Sequence, residues 1–196
     1  MRGTFTDFDR DVVDLARSLI GLTLLVRGVG GTILETEAYG RNDPASHSFS
    51  GPTRRNAPMF GPPGGVYVYL SYGCHLCLNV VGRPGEAVLL RSIAPEVGLH
   101  VMARRRGLDA GAKLIAAGPG RLGRALGIAL EDNGKAFEDE FQLTIPDAPI
   151  RGIVAGPRIG LSKATDLPWR FGLANAQGLS RPFPALTGSG NGQPEV

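Results

Sequence analysis

Cysteine is nearly absent from this 196-residue chain, with Cys74 and Cys77 its whole supply. A structural zinc site usually takes four ligands, and no second Cys-x-x-Cys completes one. Zinc-dependent base deaminases need His-x-Glu followed by Pro-Cys-x-x-Cys. Here Gly73 precedes Cys74, and none of His47, His75 and His100 has Glu two positions on. The two thiols therefore read as buried or semi-buried strand residues. Long apolar runs are missing too, so no segment is expected to span a bilayer and no membrane partner is implied. The N-terminus, Met1-Arg2-Gly3-Thr4-Phe5-Thr6-Asp7, lacks the apolar core of a signal sequence, which makes the cytosol the expected location. Gly118-Pro119-Gly120 is followed by neither the Gly-Lys-Ser/Thr of a phosphate loop nor the spacing of a dinucleotide fingerprint.

Glycine and proline, by contrast, are plentiful at 29 and 15 copies, and they point to a β-rich fold with many turns. With 42% hydrophobic residues the chain has material for one sizeable core. We expect a single domain over residues 1–183 and a disordered, polar, Gly-rich tail over 184–196. The net charge is only +3, but it is unevenly spread. From Arg91 to Arg124 seven Lys/Arg face two Asp/Glu, whereas from Leu130 to Ile150 six acids face Lys135 alone. Such a dipole can turn one face toward a phosphate backbone, although charge alone equally describes ordinary solvated surface.

Asp7 or Thr6 is placed to cap a first helix, with Val12, Leu15, Ala16, Leu19 and Ile20 on one face and Gly21 at its end. Leu22 to Val26 reads as a strand, Gly28-Val29-Gly30-Gly31 as a turn, and Thr32 to Tyr39 as the returning strand. Strand periodicity puts Ile33, Glu35 and Glu37 on one face and Leu34, Thr36 and Ala38 on the other. The polar stretch from Gly40 to Gly64 is long for a loop in a compact domain, and such loops are usually functional or disordered. Val66 to Ser71 alternates, with Tyr67 and Tyr69 on one face. Tyr72-Gly73 reads as a hairpin tip, with Leu76 to Val81 returning. Further strands are expected over 86–93, 141–145 and 152–161. Helices are expected over 95–106, after Gly118-Pro119-Gly120, and over 164–171.

Two stretches carry chemistry: Glu35-Thr36-Glu37-Ala38-Tyr39 and Tyr67-Val68-Tyr69-Leu70-Ser71-Tyr72-Gly73. A carboxylate among stacking rings suits chemistry on a flat, electron-rich ring, and a nucleobase drawn out of its helix is such a ring. These stretches occur in order with Ala45-Ser46-His47-Ser48, Arg55-Asn56-Ala57-Pro58-Met59-Phe60, Cys77-Leu78-Asn79, Val88-Leu89-Leu90-Arg91, Gly118-Pro119-Gly120 and Arg158-Ile159-Gly160-Leu161-Ser162-Lys163. The ordered set, running from about Ala16 to Phe171, resembles the alkyladenine (3-methyladenine) DNA glycosylase family in its compact bacterial form. Elements and resemblance together give the expected fold: α+β, a single mixed α/β domain with a curved, mostly antiparallel sheet, flanking helices and a protruding β-hairpin.

The resemblance implies a monofunctional enzyme that cuts the bond between a damaged purine and its deoxyribose, with no metal or organic cofactor. Double-stranded DNA containing damaged purines is the implied partner, and the implied state is a monomer without an obligate protein partner. Glu37 matches the catalytic carboxylate that activates a water. Arg91 matches the residue that helps to hold that water and the target phosphates. Tyr39 and Tyr69 match the rings that sandwich the base, with His47 beside Tyr39, and Asn79 matches the position that crowds the 2-amino group of guanine. Tyr72 matches the intercalating residue and Met59 one that flanks the intercalation site. A large ring at a hairpin tip has little to pack on within one chain, so Tyr72 reads as a wedge on physical grounds as well. Arg54, Arg55, Arg121, Arg124 and Lys163 are weaker candidates for phosphate contact, and Glu35 is read as a supporting charge paired with an arginine. His75 departs from mammalian relatives, which carry an aromatic residue just past the tip. A lesion-recognition module without catalysis keeps the wedge, rings and basic face but gives Glu37 no chemical role.

Overall fold

In the computed structural model, which describes residues 3–184, the elements run α1 (Val12–Ser18), β1 (Thr23–Val26), β2 (Val29–Tyr39), β3 (Val66–Ser71), β4 (His75–Val81), β5 (Ala87–Val97), α2 (Leu99–Arg106), α3 (Pro119–Leu126), β6 (Phe141–Thr144), β7 (Ile153–Gly156) and β8 (Arg170–Leu173). The strands form one sheet in the order β3-β4-β5-β2-β1-β6, paired antiparallel throughout. β2 is its spine. β5 runs along one edge of it, β1 pairs with the first part of the other edge, and β8 takes over at Glu35–Glu37, with β7 beyond. The expected α+β domain with flanking helices and a hairpin is what forms. The tail expected from Pro184 onward lies, apart from Pro184, outside the described residues.

One face of the sheet packs under the helices. Leu15 and Leu19 of the first helical segment, Met102 of α2 and Leu122 of α3 join Leu24, Leu78 and Leu90 of the sheet in the main core. The second, smaller cluster holds Met59, Tyr67, Val81 and Ala87, with Phe60 and Tyr69 against it. The two tyrosine rings of β3 belong to or pack against this second cluster.

Several local expectations are corrected. The α1 cap is Asp11, whose carboxylate accepts from the N–H groups of Val13 and Asp14, and not Asp7 or Thr6. Phe5 and Phe8 are buried edge to face with each other, which keeps the chain between them irregular. The β1–β2 turn is only Arg27-Gly28, both at positive φ (50° and 74°), and Val29 already belongs to β2. Gly30 and Gly31 serve the sheet instead of the turn: a Cβ on either would lie 1.8 Å from a neighbouring strand carbonyl oxygen. Pro95 and Glu96 extend β5 opposite Gly31, and α2 starts only after Gly98, whose φ of 74° breaks the strand. The helix expected over 164–171 does not form, because Arg170 and Phe171 pair with Glu37 and Thr36 of β2 as strand β8. β7 stops at Gly156, before Pro157. Finally, the β2–β5 register shifts between Ile33 and Glu35, so Ile33 enters the main core with Ala38 instead of sharing the face of the two glutamates. A bulge re-aims side chains in this way.

Candidate active site

β2 delivers Glu35, Glu37 and Tyr39 to the end of the sheet where β5 and β8 flank it. Glu37 is fully buried and its carboxylate is held by three donors. Ile159 N–H donates to Oε1 at 2.7 Å. Arg91 Nη1 at 2.9 Å and the Tyr39 hydroxyl at 2.8 Å donate to Oε2. Burial first, and then the Glu37 charge, push the Tyr39 pKa far above that of an ordinary tyrosine. Its O–H is thus a permanent donor. Burial works against the Arg91 charge, but Glu37 and Glu35 outweigh it and keep the arginine pKa above its usual value. Glu35, also fully buried, pairs with Arg91 at 3.0 Å and Arg170 at 3.1 Å, which gives it the arginine partner expected of it. Two acids and two guanidiniums balance. That balance matters because each unpaired buried ion costs several kcal/mol.

In front of this cluster lies a cavity of about 90 Å³, lined by Tyr39, His47, Met59, Tyr67, Tyr69 and Asn79 among others. That is several times the roughly 10–15 Å³ needed to admit one water. His47 packs edge-on against Tyr69, ring centroids 4.6 Å apart, and its Nδ1 lies 2.9 Å from the Tyr67 hydroxyl. Burial, reinforced by the nearby Arg55 charge, lowers the His47 pKa, whereas burial pushes Tyr67 up to about 12 and Tyr69 higher still. At neutral pH the cavity wall is therefore uncharged. Asn79 is anchored by donating from Nδ2 to the Tyr67 carbonyl oxygen at 3.0 Å. The loop from Gly40 to Gly64 is ordered by such contacts: Asn56 donates to the His47 carbonyl oxygen, and Ser48 to that of Gly85.

The structure thus brings Tyr39, His47, Tyr69 and Asn79 around one cavity, with Glu37 and Arg91 behind Tyr39. Tyr72 stands apart at the β3–β4 tip, 88% exposed and at a φ of 50°. Met59 is buried by a short 3-10 turn, Ala57–Phe60, against Tyr67 in the cavity lining. Cys74 is corrected. It lies exposed in the hairpin turn, while Cys77 is buried in β4. Arg54, Arg55, Arg121, Arg124 and Lys163 are all exposed, Arg55 donating to the Leu70 carbonyl oxygen and Arg124 to that of Arg105. Among the described residues, no cluster of His, Cys, Asp and Glu could hold a metal ion, and no helix is long and apolar enough to cross a membrane.

Sequence reasoning missed Arg158. It is buried in an ion pair with Asp43, and its guanidinium carbon lies 4.7 Å from the centre of the Tyr39 ring. It opens the Arg158–Lys163 segment, of which only Lys163 had been singled out. Ile159, next to it, acts through its backbone and leaves no side-chain signal. Ser180 was missed too, and its partner lies 145 positions earlier.

A cavity lined by aromatic rings, with a fixed carboxylate behind one of them, suits chemistry on a flat ring. Comparison with known proteins agrees. The methylpurine-DNA glycosylase family model matches residues 6–177. A protein of Nitrosospira multiformis is 60% identical over 181 residues, covering 90% of this chain and 93% of its own length. Proteins of Rhodopseudomonas palustris and Rhizobium meliloti are 52% and 51% identical, over 90% of this chain and 87% and 95% of theirs. All three carry the description "Putative 3-methyladenine DNA glycosylase". The chain belongs to the methylpurine-DNA glycosylase family. It is a hydrolase, a DNA glycosylase of DNA repair.

Proposed function

We propose that the protein excises alkylated and deaminated purines, 3-methyladenine, hypoxanthine and ethenoadenine among them, from double-stranded DNA and leaves an abasic site without cutting the strand. The observation that carries this reading is the Glu37 carboxylate. An ionised carboxylate has about four acceptor sites. Three are filled by Ile159, Arg91 and Tyr39, and the fourth can take a water O–H. Water attacks the sugar C1′, its proton passes to Glu37, and the N-glycosidic electron pair departs with the base. An alkylated, cationic purine leaves as a neutral molecule. Positive charge developing on the sugar is stabilised by the same carboxylate.

The purine reaches the pocket by extrusion from the duplex, Tyr72 filling the gap it leaves. Stacking between Tyr39 and Tyr69 is worth roughly 1–3 kcal/mol, enough to offset much of the unstacking. Cationic lesions gain further from electron-rich rings. The backbone N–H of His47 donates to the base edge, a contact that adenine's own amino donor opposes, and Asn79 crowds the 2-amino group of guanine. Arg54, Arg55, Arg121, Arg124 and Lys163 meet phosphates, and Arg91 helps to hold the water. The enzyme works in the cytosol as a monomer, without cofactor or partner chain.

A panel of duplexes carrying hypoxanthine, ethenoadenine, 3-methyladenine or xanthine, assayed for base release and for strand breaks before and after alkali, tests the reading. Base release with breaks only after alkali is the expected result. Breaks without alkali would reject the monofunctional mechanism. Undiminished release by Glu37→Gln would reject the carboxylate.

A further inference from the structure

Glu35 collects more donors than the carboxylate to which the chemistry is assigned. Its Oε1 accepts from Arg91 Nε at 3.0 Å, Arg170 Nη1 at 3.1 Å and the Ser180 hydroxyl at 2.8 Å, and its Oε2 accepts from Ser180 N–H at 2.6 Å. Ser180 Oγ also lies 3.2 Å from Arg91 Nη2. The segment from Ser180 to Phe183 is tied down around this point. Arg170 donates to the carbonyl oxygens of Arg181 and Pro182, and its guanidinium carbon sits 3.8 Å from the Phe183 ring centre. This strap lies beyond the segment that the family model matches, which ends at residue 177.

Arg91 is therefore shared. Its Nε faces Glu35, its Nη2 faces Ser180, and only Nη1 is left for Glu37. We propose that Glu35 and Ser180 are positioning residues for the reaction: they hold the Arg91 guanidinium turned so that it gives Glu37 one hydrogen bond instead of two, leaving an acceptor site and proton affinity for the attacking water. The inference rests on the reading of Glu37 as the base that activates water. Glu37 faces Arg91 from β5, Tyr39 on its own strand, and Ile159 from the segment after β7. Arg170 on β8 is the strand partner of Glu37, and its guanidinium bonds Glu35. Arg158, paired with Asp43, lies across the Tyr39 ring.

The test is the pH dependence of single-turnover hypoxanthine release by the full chain. Glu35→Gln removes the negative charge that shares Arg91, so the Arg91 charge falls to Glu37 alone. The acidic limb moves down by about one unit. The plateau rate drops about tenfold, a weaker base being a poorer one, while affinity for the lesion duplex stays within about twofold. Arg170→Met removes a positive charge instead and moves the limb up. Opposite displacements are what a merely structural role would not produce. Ser180→Ala, in the half-buried strap, slows the step about threefold, and Ser180→Thr, which keeps the hydroxyl, restores it. An acidic limb unmoved in Glu35→Gln overturns the proposal. Should that variant not fold, a wild-type rate in Ser180→Ala overturns it. If Glu37→Gln itself retains activity, the reading of the base has failed instead, and the two failures are told apart.

Discussion

The end of β2 and the tip of the β3–β4 hairpin differ in almost every physical respect. At the first, Glu37 is wholly enclosed, hydrogen-bonded three times and paired with Arg91 of β5. At the second, Tyr72 is 88% exposed on a two-stranded ribbon. The first is complete without DNA: Ile159, Arg91 and Tyr39 already fix the orientation of the Glu37 carboxylate. The second is an aromatic surface that none of the described residues covers. On the proposed function, bond cleavage falls to an enclosed strand end and duplex engagement to an exposed tip.

Each half of this contrast can be broken separately. Glu37→Gln should lower base release about 10²–10⁴-fold with little change in lesion-duplex affinity, read by single-turnover assay beside equilibrium binding. Arg158→Met leaves the buried Asp43 without its partner and should cost about 3–5 kcal/mol in urea unfolding. A loss below about 1 kcal/mol would mean the ion pair is not integral to the folded end of β2. Tyr72→Ser should weaken duplex binding by about tenfold, within the 1–3 kcal/mol of one stacked base, while its urea midpoint should barely move. Unchanged affinity would remove the wedge from the reading.

The two smallest effects sharpen the contrast. His47 has a folded pKa held below its unfolded value of about 6.5, so its contribution to stability is complete above that pH and is lost as pH falls through the folded value. The urea midpoint should therefore decline on acidification below about pH 6.5, and His47→Gln should flatten part of that decline. Arg121→Ala and Arg124→Ala should each reduce the slope of log affinity against log salt by about 1 and leave the excision step untouched.

The contrast also explains what could be read from sequence. The rings of β3 and the wedge follow from alternation and a turn, both local, and so Tyr67, Tyr69 and Tyr72 fall where the pattern puts them. The acids of β2 were legible as a pair on one strand, but Ile33 beside them was not, because a bulge set by the β5 partner overrides strict alternation. The helix expected over 164–171 failed for a similar reason: pairing with β2 outweighed local propensity at Arg170 and Phe171. The contacts that complete the site, Ile159 N–H on Glu37 and Ser180 on Glu35, are backbone or small hydroxyl donors more than a hundred positions away in sequence. No periodicity carries such information.

One feature of α3 reaches beyond packing. Gly120 and Gly123 let the helix lie directly on β4: a Cβ on Gly123 would fall 2.0 Å from the Leu76 carbonyl oxygen, and one on Gly120 would meet the His75 ring at 2.7 Å. The hairpin is thus braced just below its tip, at the first residues of β4, with Arg121 and Arg124 carried on the brace. In the proposed complex the span between the opened base step and those phosphates is then fixed by protein, like the jaws of a gauge. In that complex, a duplex that does not bend to the span would be rejected before any base is tried in the pocket.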